Sequence, residues 1–324
     1  MGIEIASRHP LIVTESLTKA FGKKTVVDHI DLSVSPGEVF GFLGPNGAGK
    51  TTTIRMLTTV IPPTSGNAWV NGHSVREDPL SVRRSFAVIP QRHVIELHLD
   101  VYQNIRLYLM FHGYSAKEAA RRTDEAIERF GLESLRHHRA DQLSGGQVRR
   151  VQVARALFVE KPILFLDEPT TGLDPLVRRE TWERIRQIRD SGRTIFLTTQ
   201  SMEEAEALCT SVAIIFNGKI VIQMPVEDLK RLLGVTRVEI VVRDLPGEEV
   251  PSVLGDCRSL PGVIDASMNG STLAALVEGN QPPVAAMIAA VSLRGGGITT
   301  VNIERPTLEQ VYLRIIKGEW KEGR

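Results

Sequence analysis

The chain has 324 residues, with 39 Lys and Arg against 38 Asp and Glu and a net charge of +1. That length is enough for two domains with cores of their own, and the balanced charge lacks the basic excess of a nucleic-acid binder. No run approaches the roughly 20 apolar residues needed to cross a bilayer: the longest candidate, 283–293, is too short, and 1–10 lacks the basic start and apolar core of a secretory signal.

In chain order, 11–13, 26–27 and 30–34 read as short strands, and Pro36 with Gly37 as a turn. An apolar run over 38–43 suits a buried strand. It leads into Gly44, Pro45, Asn46, Gly47, Ala48, Gly49, Lys50 and Thr51, which fit G-x-x-x-x-G-K-[ST], and Thr52 begins a segment that can open a helix over 52–57. Gly44, Gly47 and Gly49 let the backbone wrap closely around phosphate oxygens. Lys50 is placed to reach β- and γ-phosphates and the Thr51 hydroxyl to ligate Mg²⁺.

From about 98 to 156 the pattern is helical, with Val101, Ile105, Leu107, Leu109 and Met110 apolar and a second helix over 116–130. Leu143, Ser144, Gly145, Gly146 and Gln147 come next, followed by apolar residues at helical spacing over 148–157. Two glycines expose backbone N–H groups at a helix start, where dipole and unpaired donors both favour an anion. A chain with two phosphate-recognising elements either binds two nucleotides or clamps one from two sides. The basic clusters 136–139 and Arg149 with Arg150 read as solvated helix ends.

Residues 162–167 read as a strand buried on both faces, with Asp167 and Glu168 emerging at its carboxyl end, where open α/β sheets place ligands. Asp167 suits a Mg²⁺ shell; Glu168, across the pleat, is placed to orient or deprotonate water. A helix in 176–190 and a strand over 194–199 follow, a unit expected to be parallel. Cys209 and Cys257 stand far apart without metal-ligand spacing and read as reduced thiols of a cytosolic protein.

The last hundred residues differ. Residues 238–243 alternate like a strand; 248–260 suit a helix that Pro251 starts late; 262–267 and 271–277 suit two strands joined by Met268, Asn269 and Gly270. A helix over 284–293, a strand over 298–303 and a helix over 307–316 with Thr307 as N-cap complete the order β-α-β-β-α-β-α, which suggests a ferredoxin-like α+β domain. The expected division is 1–228 and 229–324.

The glycine loop, the pentapeptide and the acidic strand, in that order, resemble the nucleotide-binding subunit of ATP-binding cassette (ABC) transporters over roughly the first 228 residues. The resemblance implies an α/β P-loop NTPase with a RecA-like core, an antiparallel β subdomain and a helical subdomain over about 98–156. It implies ATP and Mg²⁺ at 44–52, with Phe21 stacking on adenine and Gln91 sensing Mg²⁺ and coupling to a permease. Thr51, Gln91 and Asp167 would face the metal; Glu168 and Lys50 would act on water and phosphate. Asp174 matches a loop that speaks across a dimer, and Ser144, Gly145, Gly146 and Gln147 would complete the ATP site of a second copy bound head to tail. Gln200 departs from the family's usual histidine. Glutamine keeps a donor and an acceptor but is never cationic, and by the resemblance it would assist Glu168 in holding the attacking water. The tail, through 305–313, is similar to the extension on ATPase subunits of type-2 exporters. The expectation is a motor at the cytoplasmic face of the membrane, driving a separate permease. A slow or non-hydrolysing nucleotide switch and a soluble non-transport ABC ATPase are the alternatives.

Overall fold

The computed structural model describes residues 9–91 and 95–317 and, at 232 and 233, the backbone alone. Expectations placed on 1–8 and 92–94 lie outside the described residues. The chain divides into two compact units, one ending at Gln223 and the other beginning at Met224.

The first unit runs β1 (Ile12–Phe21), β2 (Lys24–Val34), β3 (Val39–Leu43), α1 (Lys50–Leu57), β4 (Ser65–Val70), β5 (His73–Ser74), α2 (Pro79–Arg84), β6 (Phe86–Ile89), α3 (Val101–Phe111), α4 (Ala116–Arg129), α5 (Gly145–Leu157), β7 (Ile163–Asp167), α6 (Pro175–Asp190), β8 (Thr194–Thr199), α7 (Met202–Leu208), β9 (Ser211–Phe216) and β10 (Lys219–Pro225). The junction between units falls inside β10, a few residues before the expected boundary at 228.

Two sheets form. An antiparallel sheet has the order β2-β1-β4-β5, and a six-stranded sheet the order β10-β9-β3-β8-β7-β6. In the second, β3 pairs in parallel with β8 and β9, and β7 with β6 and β8. Every residue of β3, β7 and β8 is buried, as expected of strands covered on both faces. Phe40, Phe42 and Phe165 all pack on Phe196, with ring centroids 5.4–5.6 Å apart. Each such buried ring contributes about 1.5–3 kcal/mol, so the strands that carry the site rest on a rigid floor.

Parallel pairing puts the carboxyl ends of these strands on one edge. The register sets Leu43 beside Thr199, Asp167 beside Thr198, and Ile89 beside Leu166. The residues that follow each strand (44–49, 168–171, 200 and 90–91) therefore emerge together.

The helical region begins at Val101, not 98, and is interrupted between 130 and 144 by irregular backbone with single 3₁₀ turns at Glu133–Leu135 and Ala140–Gln142. Each helix start is capped: Asp100 and Gln103 form a capping box on α3, Ser115 caps α4, and Ser144 with Gln147 form a capping box on α5. Buried Asn104 donates to the carbonyls of Glu96, Leu99 and Asp100 and accepts from Glu96 N–H, fastening the loop before α3.

The second unit contains α8 (Val226–Leu233), β11 (Val235–Arg243), α9 (Val250–Ser259), β12 (Val263–Asn269), β13 (Thr272–Glu278), α10 (Val284–Ser292), β14 (Gly297–Glu304) and α11 (Leu308–Ile316). Its antiparallel sheet has the order β12-β13-β11-β14. Val238, Ile240 and Val242 point from one face of β11 into a core with Val253, Cys257, Met287 and Val291 of α9 and α10. The hairpin is tighter than its sequence signal: β12 runs through Asn269, which pairs with Thr272, and Gly270 takes the left-handed φ of +59°. Thr307 caps α11 by accepting from Gln310 N–H.

Candidate functional site

The loop between β3 and α1 has the backbone of an anion cradle. A Cβ on Gly44 would stand 2.3 Å from the Ile215 carbonyl oxygen, so only glycine fits there. Gly49 has φ +115°, and a Cβ on it would meet the Val26 carbonyl at 2.9 Å. Gly49 is the N-cap of α1 and offers no side chain, leaving first-turn N–H groups open to an anion. Pro45 accepts from Ala48 N–H, while Asn46 and Gly47 stand exposed and Thr51 and Thr52 half-buried.

Lys50 is buried. Its Nζ donates to the carbonyls of Gly44 (2.7 Å) and Pro45 (3.1 Å) and lies 3.7 Å from Glu168 Oε1. Desolvation pulls the ammonium's pKa below its ordinary value, and the charges of Glu168 and Asp167 oppose that shift.

Asp167 and Glu168 are both buried at the end of β7. Asp167 Oδ1 accepts from Thr198 Oγ1 at 2.6 Å and from Thr51 Oγ1 at 3.4 Å. Burial raises the Asp167 carboxyl pKa, while the Thr198 and Thr51 hydrogen bonds pull the other way. Glu168 has a left-handed backbone, φ +48°. Its Oε2 accepts from Gln91 Nε2 at 3.0 Å and from Thr171 Oγ1 at 3.4 Å. The acid is thus held between the loop lysine and a glutamine from the end of β6.

Thr51, Gln91 and Asp167 line one hollow of about 660 Å³, whose apolar walls include Ile54, Val60, Phe86 and Val88 and whose rim carries Arg55 and Arg83. No cluster of three or more His, Cys, Asp or Glu is poised for a metal among the described residues. Mg²⁺ keeps most of its shell for water and phosphate and takes few protein oxygens, so Thr51 and Asp167 fit it. His112 also lines the hollow, its ring 4.6 Å from that of Tyr108. Burial, with Lys161 and Arg155 nearby, lowers its pKa to about 4. The folded state resists a proton that the unfolded chain accepts near pH 6.5. His112 therefore contributes stability that is fully present above pH 6.5 and lost as pH falls toward 4. Denaturation midpoints measured across that window should fall with pH, and His112→Gln should flatten the slope.

Phe21 lies half-exposed at the tip of the β1–β2 hairpin with Lys19 Nζ 5.2 Å from its ring centre. Val26 and Val27, a few residues on, touch the position of Gly49, so the tip borders the loop. Asp174 is exposed and caps α6, accepting from Leu176 and Val177 N–H at 3.0 Å each. Gln200 follows β8 directly, is exposed, and makes no hydrogen bond among the described residues.

The pentapeptide is also at the surface. Ser144 and Gly145 are exposed, and a Cβ on Gly146 would meet nothing within 4 Å. Ser144 Oγ accepts from Gln147 N–H, and the Gln147 side-chain oxygen accepts from Ser144 N–H. Gln147 thus serves the cap. No hydrogen bond joins 143–147 to 44–51 among the described residues.

Two positions depart from the sequence reading. Arg149 is not a solvated helix end: it is 2% exposed and donates to backbone carbonyls around Glu168. Arg150 is half-buried, and its Nε is buried without a partner. Glu204, absent from the sequence reading, is 1% exposed and accepts from Thr170 Oγ1 (2.6 Å) and Trp182 Nε1 (3.1 Å), tying α7 to α6 and to the loop after Glu168.

Among family models, that of the ABC transporter family matches residues 27–171. The chain is 34% identical to the daunorubicin resistance ATP-binding protein DrrA3 of Streptomyces coeruleorubidus, over 94% of this chain and 95% of that one. It is 36% identical to the Nod factor export ATP-binding protein I of Cupriavidus metallidurans, over 96% and 99%. A solved structure of an ATP-binding subunit of an ABC transporter superposes with TM-score 0.65 at 31% identity, covering 69% of this chain and 93% of that one. With relatives this similar over nearly their whole length, the chain belongs to the ABC transporter family, among its ATP-binding subunits.

Proposed function

We propose that this ABC ATPase powers an exporter: two copies, head to tail, each complete the other's ATP site and drive a separate permease from the cytoplasmic face of the membrane. Two relatives are named for daunorubicin resistance and for Nod factor export, which supports the export direction. No helix among the described residues is long and apolar enough to cross a membrane.

The reading rests on one arrangement: Glu168 held by Gln91 at 3.0 Å beside Lys50, with Asp167 and Thr51 next to them. Phosphate bound in the loop draws the Lys50 ammonium off the carbonyls of Gly44 and Pro45. Mg²⁺, when bound at Thr51 and Asp167, supplies positive charge to the phosphate oxygens, with Gln91 on the same wall. Glu168 orients the attacking water and takes its proton; Lys50 and the open N–H groups of α1 stabilise the charge that develops. Phe21 gives the adenine a flat apolar face. Ser144, Gly145 and Gly146 present donors at an exposed helix N-terminus to the γ-phosphate of the partner's ATP. Gln147 keeps that terminus capped, and Asp174 holds the α6 start at the same junction.

Gln91 carries the nucleotide state toward the permease, through the exposed Leu97 and the start of α3 at Tyr102. The apolar hollow that Gln91 shares with Val60 suits a docked permease segment. We read the second unit as a ferredoxin-like domain, a reading that its β-α-β-β-α-β element order and its strand order β12-β13-β11-β14 support, and assign it a regulatory or dimer-contact role. The exposure of Gln200 favours a second reading, a slow nucleotide switch. Steady-state phosphate release by the full chain with Mg²⁺ and ATP separates the two. Turnover is expected; bound nucleotide without turnover above background would contradict the hydrolytic reading.

A further inference from the structure

Arg149 takes no part in the chemistry above, yet it is the largest fully buried side chain among the described residues. It stands on α5, five positions after Ser144. A guanidinium is rarely taken out of water without a carboxylate, and Arg149 has no ion pair among the described residues. Its donors go mainly to main-chain oxygens: Nη1 to Pro90 at 2.6 Å, with a longer bond to Gln152 Oε1 at 3.4 Å, Nη2 to Glu168 at 2.8 Å and Asp167 at 3.3 Å, and Nε to Pro169 at 2.8 Å. These carbonyls belong to two separate segments, the one before Gln91 and the one through Glu168.

Both segments need holding. Glu168 has φ +48° and precedes a proline, a position where a residue with a side chain normally takes extended backbone. Such strain persists only where the surroundings over-determine it. Glu168 N–H donates to the Thr198 carbonyl at 3.0 Å, and Arg149 grips the two carbonyls that follow. The same guanidinium holds Pro90, so the Glu168 carboxylate and the Gln91 amide are set against each other by one planar fork. Lysine, with one flexible ammonium, cannot span this set.

We propose that Arg149 is a positioning residue for hydrolysis: it fixes the left-handed turn at Glu168 and the Pro90–Gln91 corner, and it couples both to the helix that Ser144 opens. The inference rests on the reading that Glu168 orients the water. It predicts that displacement of the pentapeptide's helix is passed to the general base without any contact between the two sets of side chains.

Arg193 provides the control. It too donates to main-chain carbonyls, here those of Leu157, Val159 and Lys161, all outside the site. Arg149→Lys, Arg193→Lys and Glu168→Gln are made in the full chain and compared for thermal stability, equilibrium ATP binding, kcat and KM. Arg149→Lys is expected to bind ATP within about threefold of the parent and to lose about tenfold or more in kcat, the signature of an interaction made for the transition state. Arg193→Lys is expected to lower thermal stability and leave kcat unchanged. A folded Arg149→Lys with the parent's kcat overturns the inference, as does a kcat loss that Arg193→Lys matches at equal loss of stability. Should Arg149→Lys not fold, Arg149→Gln takes its place and is judged by the same split; failure of both to fold, with Arg193→Lys intact, assigns Arg149 to stability alone and overturns it too. If Glu168→Gln keeps turnover, the reading of Glu168 itself fails. If Glu168→Gln loses turnover while Arg149→Lys keeps it, only the present inference fails.

Discussion

Glu168→Gln is expected to stop ATP turnover while leaving ATP bound. The substitution keeps the shape of a buried side chain and removes its charge and its basicity. A positioned general base contributes about 10²–10⁴ in rate, so phosphate release should fall by that factor. Binding should not suffer. Lys50, 3.7 Å from the Glu168 carboxylate, loses a competing anion and is left freer for phosphate. The product of the closure step should then accumulate: light scattering in the presence of Mg²⁺ and ATP should report a dimer that does not dissociate. Turnover within a few-fold of the parent, or a monomer under the same conditions, would count against the mechanism.

Lys50→Met and Ser144→Arg are each expected to abolish turnover, for opposite reasons. Lys50→Met removes the cation that neutralises transferring phosphate, and the chain should lose ATP affinity by itself. Ser144→Arg costs its own helix about 1 kcal/mol, the usual loss for an N-cap, because only the cap to Gln147 N–H goes. The chain should fold and bind ATP in its own loop. It should nevertheless not hydrolyse, because the bulk of the arginine falls where a second copy's γ-phosphate must approach. Equilibrium nucleotide binding distinguishes the two variants before any activity is measured.

The parts of the site legible in the sequence are those in which backbone geometry restricts the residue. Gly44 stands where a Cβ would strike a carbonyl, and the acid pair stands where β7, a run of apolar residues, ends in two charges. Arg149 was misread because arginines at a helix start usually face water. A signal was present: α5 places Val148, Val151, Val153, Ala154 and Leu157 on every side, and a helix buried all round buries its arginine as well. Asp174 before Pro175 carried the marks of an N-cap, which the dimer reading obscured. Strand β4 could not be read, since Ser65, Gly66 and Asn67 are poor strand formers. Gly66 takes φ +71°, with the Ser16 carbonyl 2.1 Å from where a Cβ would stand, so tertiary approach and not propensity makes it a strand. Alternation in β11 was visible, but the order of strands in the second unit depends on pairings that no local pattern contains. Gln200 was legible as a departure; its exposure was not.

The shared site is the centre of the account, and mixing the two inactive variants tests it directly. In a head-to-tail dimer of one Lys50→Met copy and one Ser144→Arg copy, both lesions fall in the same site, and the other site is intact. Random pairing makes half the dimers mixed, and each keeps one site, so co-expressed variants should recover about a quarter of the parent's turnover. Folded, ATP-binding chains that remain as inactive together as apart would contradict a site shared between copies.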